Sequence, residues 1–198
     1  MGELNEASKF HGHLCPMFAL GFRMGKKALE ELGRGREDGV KLIAVVEYKN
    51  CLADGIQYVC GTTYGKNNLF YKENGKFAVS FYDLVSGKSI RVGIKNEVLE
   101  DTLGYGVAGQ GVKRLPPDRR REDARKLFMR GKKIVERFEE MSDEELFKIT
   151  EAEPFKAKEE SSLDFVYCDG CGELTLTDFV NESGEKRLCN SCLSSSVD

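Results

Sequence analysis

Cys168-x2-Cys171 and Cys189-x2-Cys192, with seventeen residues between the pairs, constrain this chain more than any other pattern in it. A segment of about thirty residues buries too little apolar surface to hold a fold by itself, so a bound metal has to make up the difference. Two Cys-x2-Cys pairs at this spacing fit a four-cysteine zinc module of treble-clef or ribbon type. Zinc binding by such peptides contributes on the order of 10–16 kcal/mol, far more than any cap or turn. Four thiolates close the coordination shell, so the expected zinc is structural. The same ligands suit iron in a rubredoxin-like site, because spacing alone does not select the metal. Disulfide pairing is the competing assignment, and the lack of a secretory signal argues against it. The polar stretch Lys156 to Ser162 precedes the module and reads as a linker. Two domains are therefore expected: a core with a helical extension over 1–160, and linker plus finger over 161–198.

A second concentration of ligand-type residues lies near the start, in Phe10-His-Gly-His-Leu-Cys-Pro16. It holds both histidines of the chain and a cysteine two residues on. Histidine is neutral and ligand-ready near pH 7, and a thiolate is a soft ligand or nucleophile. Cys15 precedes proline, which disfavours helical backbone, so His11 to Cys15 is expected to be extended or irregular; an extended segment would put residues 11, 13 and 15 on one side. Pro16 suits the first position of a helix, which would set the Cys15 thiol at a helix N-terminus. The bland alternative is a loop with polar histidines and a buried cysteine.

The spacing of Phe18, Phe22, Leu29 and Leu32 predicts a helix from Pro16 to Leu32, capped by Gly33. Gly21 and Gly25 share a side of it and would admit a neighbouring backbone. Val40 to Tyr48 reads as a central strand covered on both faces. It leads into Lys49-Asn-Cys51-Leu-Ala-Asp54-Gly-Ile-Gln57, a strand-to-helix turn at the end of a strand where open sheets place ligands. Cys51 and Asp54 would share a helix face, Gln57 would follow less well aligned, and Cys60 would be buried on the other side. Gly61-x3-Gly65-Lys66 superficially resembles a phosphate loop but is one residue short and lacks the Ser or Thr for magnesium, which excludes nucleotide hydrolysis. A turn in which Lys66 meets a ligand anion stays open. Phe77–Tyr82 and Ser89–Ile94 read as strands. Gly104 to Gly111 has the letters of a dinucleotide fingerprint without the strand and helix around it, and is expected to be a glycine loop. Arg119-Arg-Arg121 opens a charged helix, and Ser142 to Glu145 is a capping box for a short helix through Ile149.

These segments together carry a family resemblance. Phe10 to Pro16 followed by Leu20-Gly-Phe-Arg23, then Cys51-x2-Asp54-Gly-Ile-Gln57 and Gly61-x3-Gly65-Lys66-x2-Leu69, resemble the FmdE family, named for a component of formylmethanofuran dehydrogenase. The resemblance covers about residues 5 to 150, and the C-terminal cysteine pairs match the zinc-finger tail of many members. One departure is Met17, where the family favours glycine after Cys-Pro. The resemblance implies an α+β, thioredoxin-like core with a mixed β-sheet flanked by helices. It also implies a metal-binding active site built from the histidine–cysteine segment and the second cysteine segment. The resemblance further implies association with molybdenum or tungsten formylmethanofuran dehydrogenase in one-carbon metabolism, and a homo-oligomer, most simply a dimer.

Three functions follow as expectations. In the first, the chain is a metal-binding accessory subunit or a small metal-dependent enzyme. His11, His13, Cys15 and Cys51 would supply ligands to a second zinc, Asp54 and Gln57 would orient them or handle protons, and an open position would take water or a small-molecule substrate. In the second, the finger is an adaptor on a ligand- or metal-sensing core. Lys186-Arg187 offers a little positive charge, but the acidic residues of the finger, Asp169, Glu173, Asp178, Glu182, Glu185 and Asp198, argue against nucleic acid. In the third, Cys15 and Cys51 form a redox pair assembled across segments. With 198 residues, 32% charged and a net charge of −3, the chain suits one ordinary core plus a small appendage. No apolar run of about 18 residues suggests a membrane span. A soluble, cytoplasmic protein is the expectation.

Overall fold

The computed structural model describes residues 2–36, 39–156 and 163–195. The chain forms two compact units, Met1–Glu153 and Pro154–Asp198. The domain boundary expected at 160/161 falls within residues 157–162, outside the described ones.

The first unit is built on a five-stranded sheet of β1 (Leu42–Val46), β2 (Leu69–Tyr71), β3 (Ala78–Asp83), β4 (Ser89–Ile94) and β5 (Phe147–Glu151), in the order β2-β1-β3-β4-β5. β1 and β2 are parallel and are joined through helix α3 (Cys51–Cys60), whereas every other neighbouring pair is antiparallel. A βαβ unit followed by the β3–β4 hairpin and a helix is the thioredoxin-like arrangement that the resemblance implied. Alternation along the strands sends Leu42, Ala44 and Val46, Val79 and Phe81, and Val92 and Ile94 to one face. There they form one buried cluster with Phe18, Leu20 and Met24 of α2 (Pro16–Leu32) and Ile56 of α3.

Helix α2 carries its boundary signals in sequence. Cys15 stands at the N-cap in extended conformation, Pro16 opens the helix, and Gly33 closes it with φ 66°. The closest packing is between α2 and α3. A Cβ at Gly21 would overlap the Leu52 carbonyl, and one at Gly55 would lie 2.5 Å from the Phe22 amide nitrogen. The two helices therefore touch backbone to backbone, which draws their N-terminal ends together. Arg23 fixes the far side: its guanidinium donates to the Phe138 and Met141 carbonyls at 2.6 and 2.9 Å and pairs with Asp143. That binds α2 to the junction of α5 (Pro117–Glu140) and α6 (Asp143–Leu146).

Three expectations need correction. His11 is not part of the extended or irregular stretch but ends a helix, α1 (Gly2–His11); Gly12 then turns the chain with φ 90°, and residues 12–15 are irregular as expected. The glycine loop at Gly104–Gly111 is instead the interior of α4 (Asn96–Lys113), which packs against α5. The short helix after Ser142 stops at Leu146 rather than Ile149, because Phe147–Glu151 pairs with β4 as an edge strand.

The second unit contains two hairpins, β6 (Phe165–Tyr167) with β7 (Leu174–Leu176) and β8 (Val180–Ser183) with β9 (Lys186–Cys189), followed by α7 (Asn190–Ser195). Among its described residues few are buried: Cys168, Leu188 and Cys189, with Cys192 and Leu193 packed on them. Two of its four cysteines thus stand in for a core that the segment cannot otherwise build.

Candidate metal centre

Three chain segments meet at one end of the first unit. The end of α1 presents His11, the turn presents His13, Cys15 caps α2, and Cys51 opens α3. One ligand atom from each of His11, His13, Cys15 and Cys51 lies within 4.8 Å of all the others. Around a tetrahedral zinc, donor atoms stand about 3.3–3.8 Å apart, so shifts of under about 1 Å would bring this group to coordination distance. The donor chemistry, imidazole plus thiol, suits zinc-type ions.

The histidine is oriented before any ion binds. His11 Nδ1 lies 2.6 Å from Asp54 Oδ2, leaving Nε2 turned toward Cys15 Sγ at 3.9 Å. The ring also stacks on Phe18, with centroids 5.1 Å apart and planes 9° from parallel. A carboxylate on one imidazole nitrogen with the other aimed at the ligand group is the usual support of a metal-binding histidine. Asp54 is held in turn by Gln57, whose Nε2 donates to Oδ1 at 3.0 Å. Asp54 is possible here because Asn50 caps α3, accepting from the Leu52 amide at 2.9 Å, and sets the first turn that carries Cys51 and Asp54.

The two thiols divide one proton between them. The Cys15 thiol donates to Cys51, which together with burial pushes the Cys15 pKa up. The same hydrogen bond, helped by His11 and His13, draws the Cys51 pKa down. Both sulfurs also stand at helix N-termini, where negative charge is favoured. A cationic ion is what such a pair lacks for both thiols to ionise.

His11, His13, Cys15, Cys51, Asp54 and Gln57 are thus in one place. Lys66 is not: it follows the C-terminal end of α3, whereas Cys51 and Asp54 lie in its first turn. Cys60 is buried, its thiol pKa raised by desolvation to about 12. Tyr105 of α4 carries no sequence signal that would have placed it here. Burial raises its phenol pKa, with the negative charge of the thiol pair adding to that rise, and the ring packs against the buried cluster that includes Cys15.

In the second unit, the sulfurs of Cys168, Cys171, Cys189 and Cys192 also lie within 4.8 Å of one another. The Cys189 and Gly170 amides donate to Cys168 Sγ at 3.2 and 3.4 Å, and such amide contacts lower that thiol to about 6. A sulfur that keeps its negative charge near neutral pH is ready for a metal.

A thioredoxin-like α+β core with a His2Cys2 donor group, joined to a four-cysteine unit, defines a protein equipped to hold metal at two sites. The chain belongs to the FmdE family: the model described as "FmdE, Molybdenum formylmethanofuran dehydrogenase operon" matches residues 10–148. A curated protein of Archaeoglobus fulgidus, described as a "Probable S-adenosyl-L-methionine-binding protein", is 31% identical over 97% of this chain and 52% of its own length. The chain thus spans about half of that relative, and the ligand in its name is that protein's. The crystal structure of an FmdE-like protein of tungsten formylmethanofuran dehydrogenase type, from Syntrophus aciditrophicus, shares the fold. Its TM-score is 0.58 at 23% identity, over 100% of this chain and 93% of that one.

Proposed function

We propose that the chain is a zinc protein of one-carbon redox metabolism. It acts as an accessory subunit, or as a small metal-dependent enzyme, beside a molybdenum or tungsten formylmethanofuran dehydrogenase. The observation that carries this reading is His11, fixed by Asp54 through Nδ1 with Nε2 directed at Cys15, in a group of four donors that includes Cys51. His11, Cys15 and Cys51 are the inner ligands. His13 is exposed and is the ligand that a water or small-molecule substrate displaces. Zinc held there supplies a Lewis acid and an activated water. Asp54 keeps the His11 proton on Nδ1, and Phe18 holds the ring plane. The second zinc, at Cys168, Cys171, Cys189 and Cys192, is structural. The helices α4 and α5 leave Leu103, Val107, Phe128 and Met129 exposed, which suits a homodimer.

Metal content per chain tests this reading, measured on the intact protein, Cys51→Ser and Cys168→Ser. Two zinc ions in the parent and one in each variant support it. Two zinc ions retained in Cys51→Ser would remove Cys51 from the ligand set and with it the reading.

An adaptor role for the finger has its own support. Phe165, Tyr167 and Leu174 lie on one face of the β6–β7 hairpin and are all more than half exposed, at 55, 65 and 56%. Binding of a partner that is lost in Phe165→Ser/Tyr167→Ser, with zinc content unchanged, would favour that role.

A further inference from the structure

A cavity of about 850 Å³ opens at the end of the sheet where β3 and β5 begin and β4 ends. None of its lining residues belongs to the metal centre. Its size falls in the range of small-molecule sites, about 300–1,000 Å³. Charge distinguishes it: Lys76, Arg91, Lys95 and Lys148 line it against a single carboxylate, Glu97. Placing four cations around one opening is unfavourable by itself, since like charges at short range repel.

The neighbouring groups offset only part of that. Arg91 Nε pairs with the buried Glu47 at 2.6 Å. Lys95 Nζ donates to the Glu144 carbonyl at 2.5 Å, and its charge is partly answered by Glu145, whose pKa is lowered by the Ser142 hydrogen bonds and, to a smaller degree, by Lys95. Among the described residues, Lys76 and Lys148 make no ion pair within 4.0 Å. Helix α4 begins in the same lining, at Asn96; the Val98 and Leu99 amides already donate to the Lys95 carbonyl at 3.1 Å, so the amides that can face a ligand there are those of Asn96 and Glu97. Phe77 and Leu99 add an aromatic and an aliphatic surface.

We propose that this cavity binds a phosphate-bearing small molecule of nucleotide size. The phosphates face Lys76, Lys95, Lys148 and the α4 amides, and a flat apolar part lies on Phe77 and Leu99. With Arg91 paired to Glu47 and Glu97 set against one lysine, two of the four positive charges remain; a single carboxylate answers half of that, whereas a diphosphate carries enough negative charge to answer all of it. The strand registers put the cavity at the same end of the sheet as the carboxyl end of β1, from which the chain runs into Cys51. The site is nevertheless independent of the metal reading.

The test is calorimetric titration of the full chain with ADP, pyrophosphate and adenosine at low ionic strength. ADP and pyrophosphate are expected to bind, and adenosine at least about tenfold more weakly than ADP, because the charges supply most of the attraction. Lys76→Glu/Lys148→Glu should weaken ADP by about tenfold or more. Lys126→Glu on α5 makes a charge change elsewhere and should stay within about twofold. Cys51→Ser should bind ADP as the parent does, which separates this site from the metal centre. Adenosine binding as tightly as ADP, equal loss in Lys126→Glu, or no ADP binding up to millimolar concentration would each overturn the proposal.

Discussion

Asp54→Ala removes the support of His11 without touching a ligand atom. In the parent, Asp54 Oδ2 stands 2.6 Å from Nδ1 and fixes both the tautomer and the direction of Nε2. Loss of such a partner lowers metal affinity by about 10- to 100-fold, or about 1.4–2.7 kcal/mol. Two features of the structure place the effect toward the lower part of that range. The Asp54 side chain is 39% exposed, so water can replace it in part. Phe18 still holds the ring by stacking. About tenfold is therefore the expected loss. Asp54→Asn should fall between parent and Ala, because its amide oxygen can still accept from Nδ1. Gln57→Ala, which loosens Asp54 alone, should cost about threefold or less. Competition with a chromophoric zinc chelator reads the affinity, and the four-cysteine site serves as an internal control. Asp54→Ala binding zinc in the core within twofold of the parent would refute the reasoning, as would equal weakening of both sites.

Other perturbations follow from the same structure. Gly21→Ala places a methyl group where the Leu52 carbonyl lies, so stability measured by urea unfolding should fall by about 3 kcal/mol or more, with zinc binding in the core weakened as α2 and α3 part. In metal-free protein at pH 7, iodoacetamide should label Cys51 at least about tenfold faster than Cys15 or Cys60; a lowered pKa leaves thiolate present above it, and the labelling should fade as pH drops through that value. Equal labelling of the three would contradict the division of charge between Cys15 and Cys51. Burial opposes ionisation of Asp83, but Ser86, the Val85 amide and Arg34 more than offset it and bring its pKa to about 2. Its stabilising charge is therefore fully present above the unfolded value of about 3.9 and lost as pH falls through the folded value. The gap in stability between parent and Asp83→Asn should accordingly be full at pH 7 and nearly closed at pH 2.

Elements bounded by strong local chemistry were legible in sequence. Pro16 and Gly33 delimit α2, and the β-rich runs at 78–83 and 89–94 mark two strands. Helix α1 was not legible, because only Leu4 and Ala7 are buried and its amphipathic signal is weak. Four glycines masked α4; each costs about 1 kcal/mol in a helix, and packing against α5 outweighs that cost. β5 depends on pairing with β4, a contact between residues more than fifty apart. At the metal centre, the ligand types were readable, as was a close backbone approach at Gly21, though not that α3 is the element that makes it. The pairing of His11 with Asp54 was not, since it spans 43 residues and depends on where α1 ends. Asn50 offered a signal that could have been used: an N-cap residue next to an apolar run fixes which residues occupy the first turn.

The zinc K-edge absorption spectrum of Cys168→Ser/Cys171→Ser, which leaves the core as the intact site, tests the central claim most directly. The account predicts a mixed shell, with nitrogen at about 2.0–2.1 Å and sulfur at about 2.3 Å in comparable numbers. A shell of sulfur alone, or one with no sulfur, would contradict it.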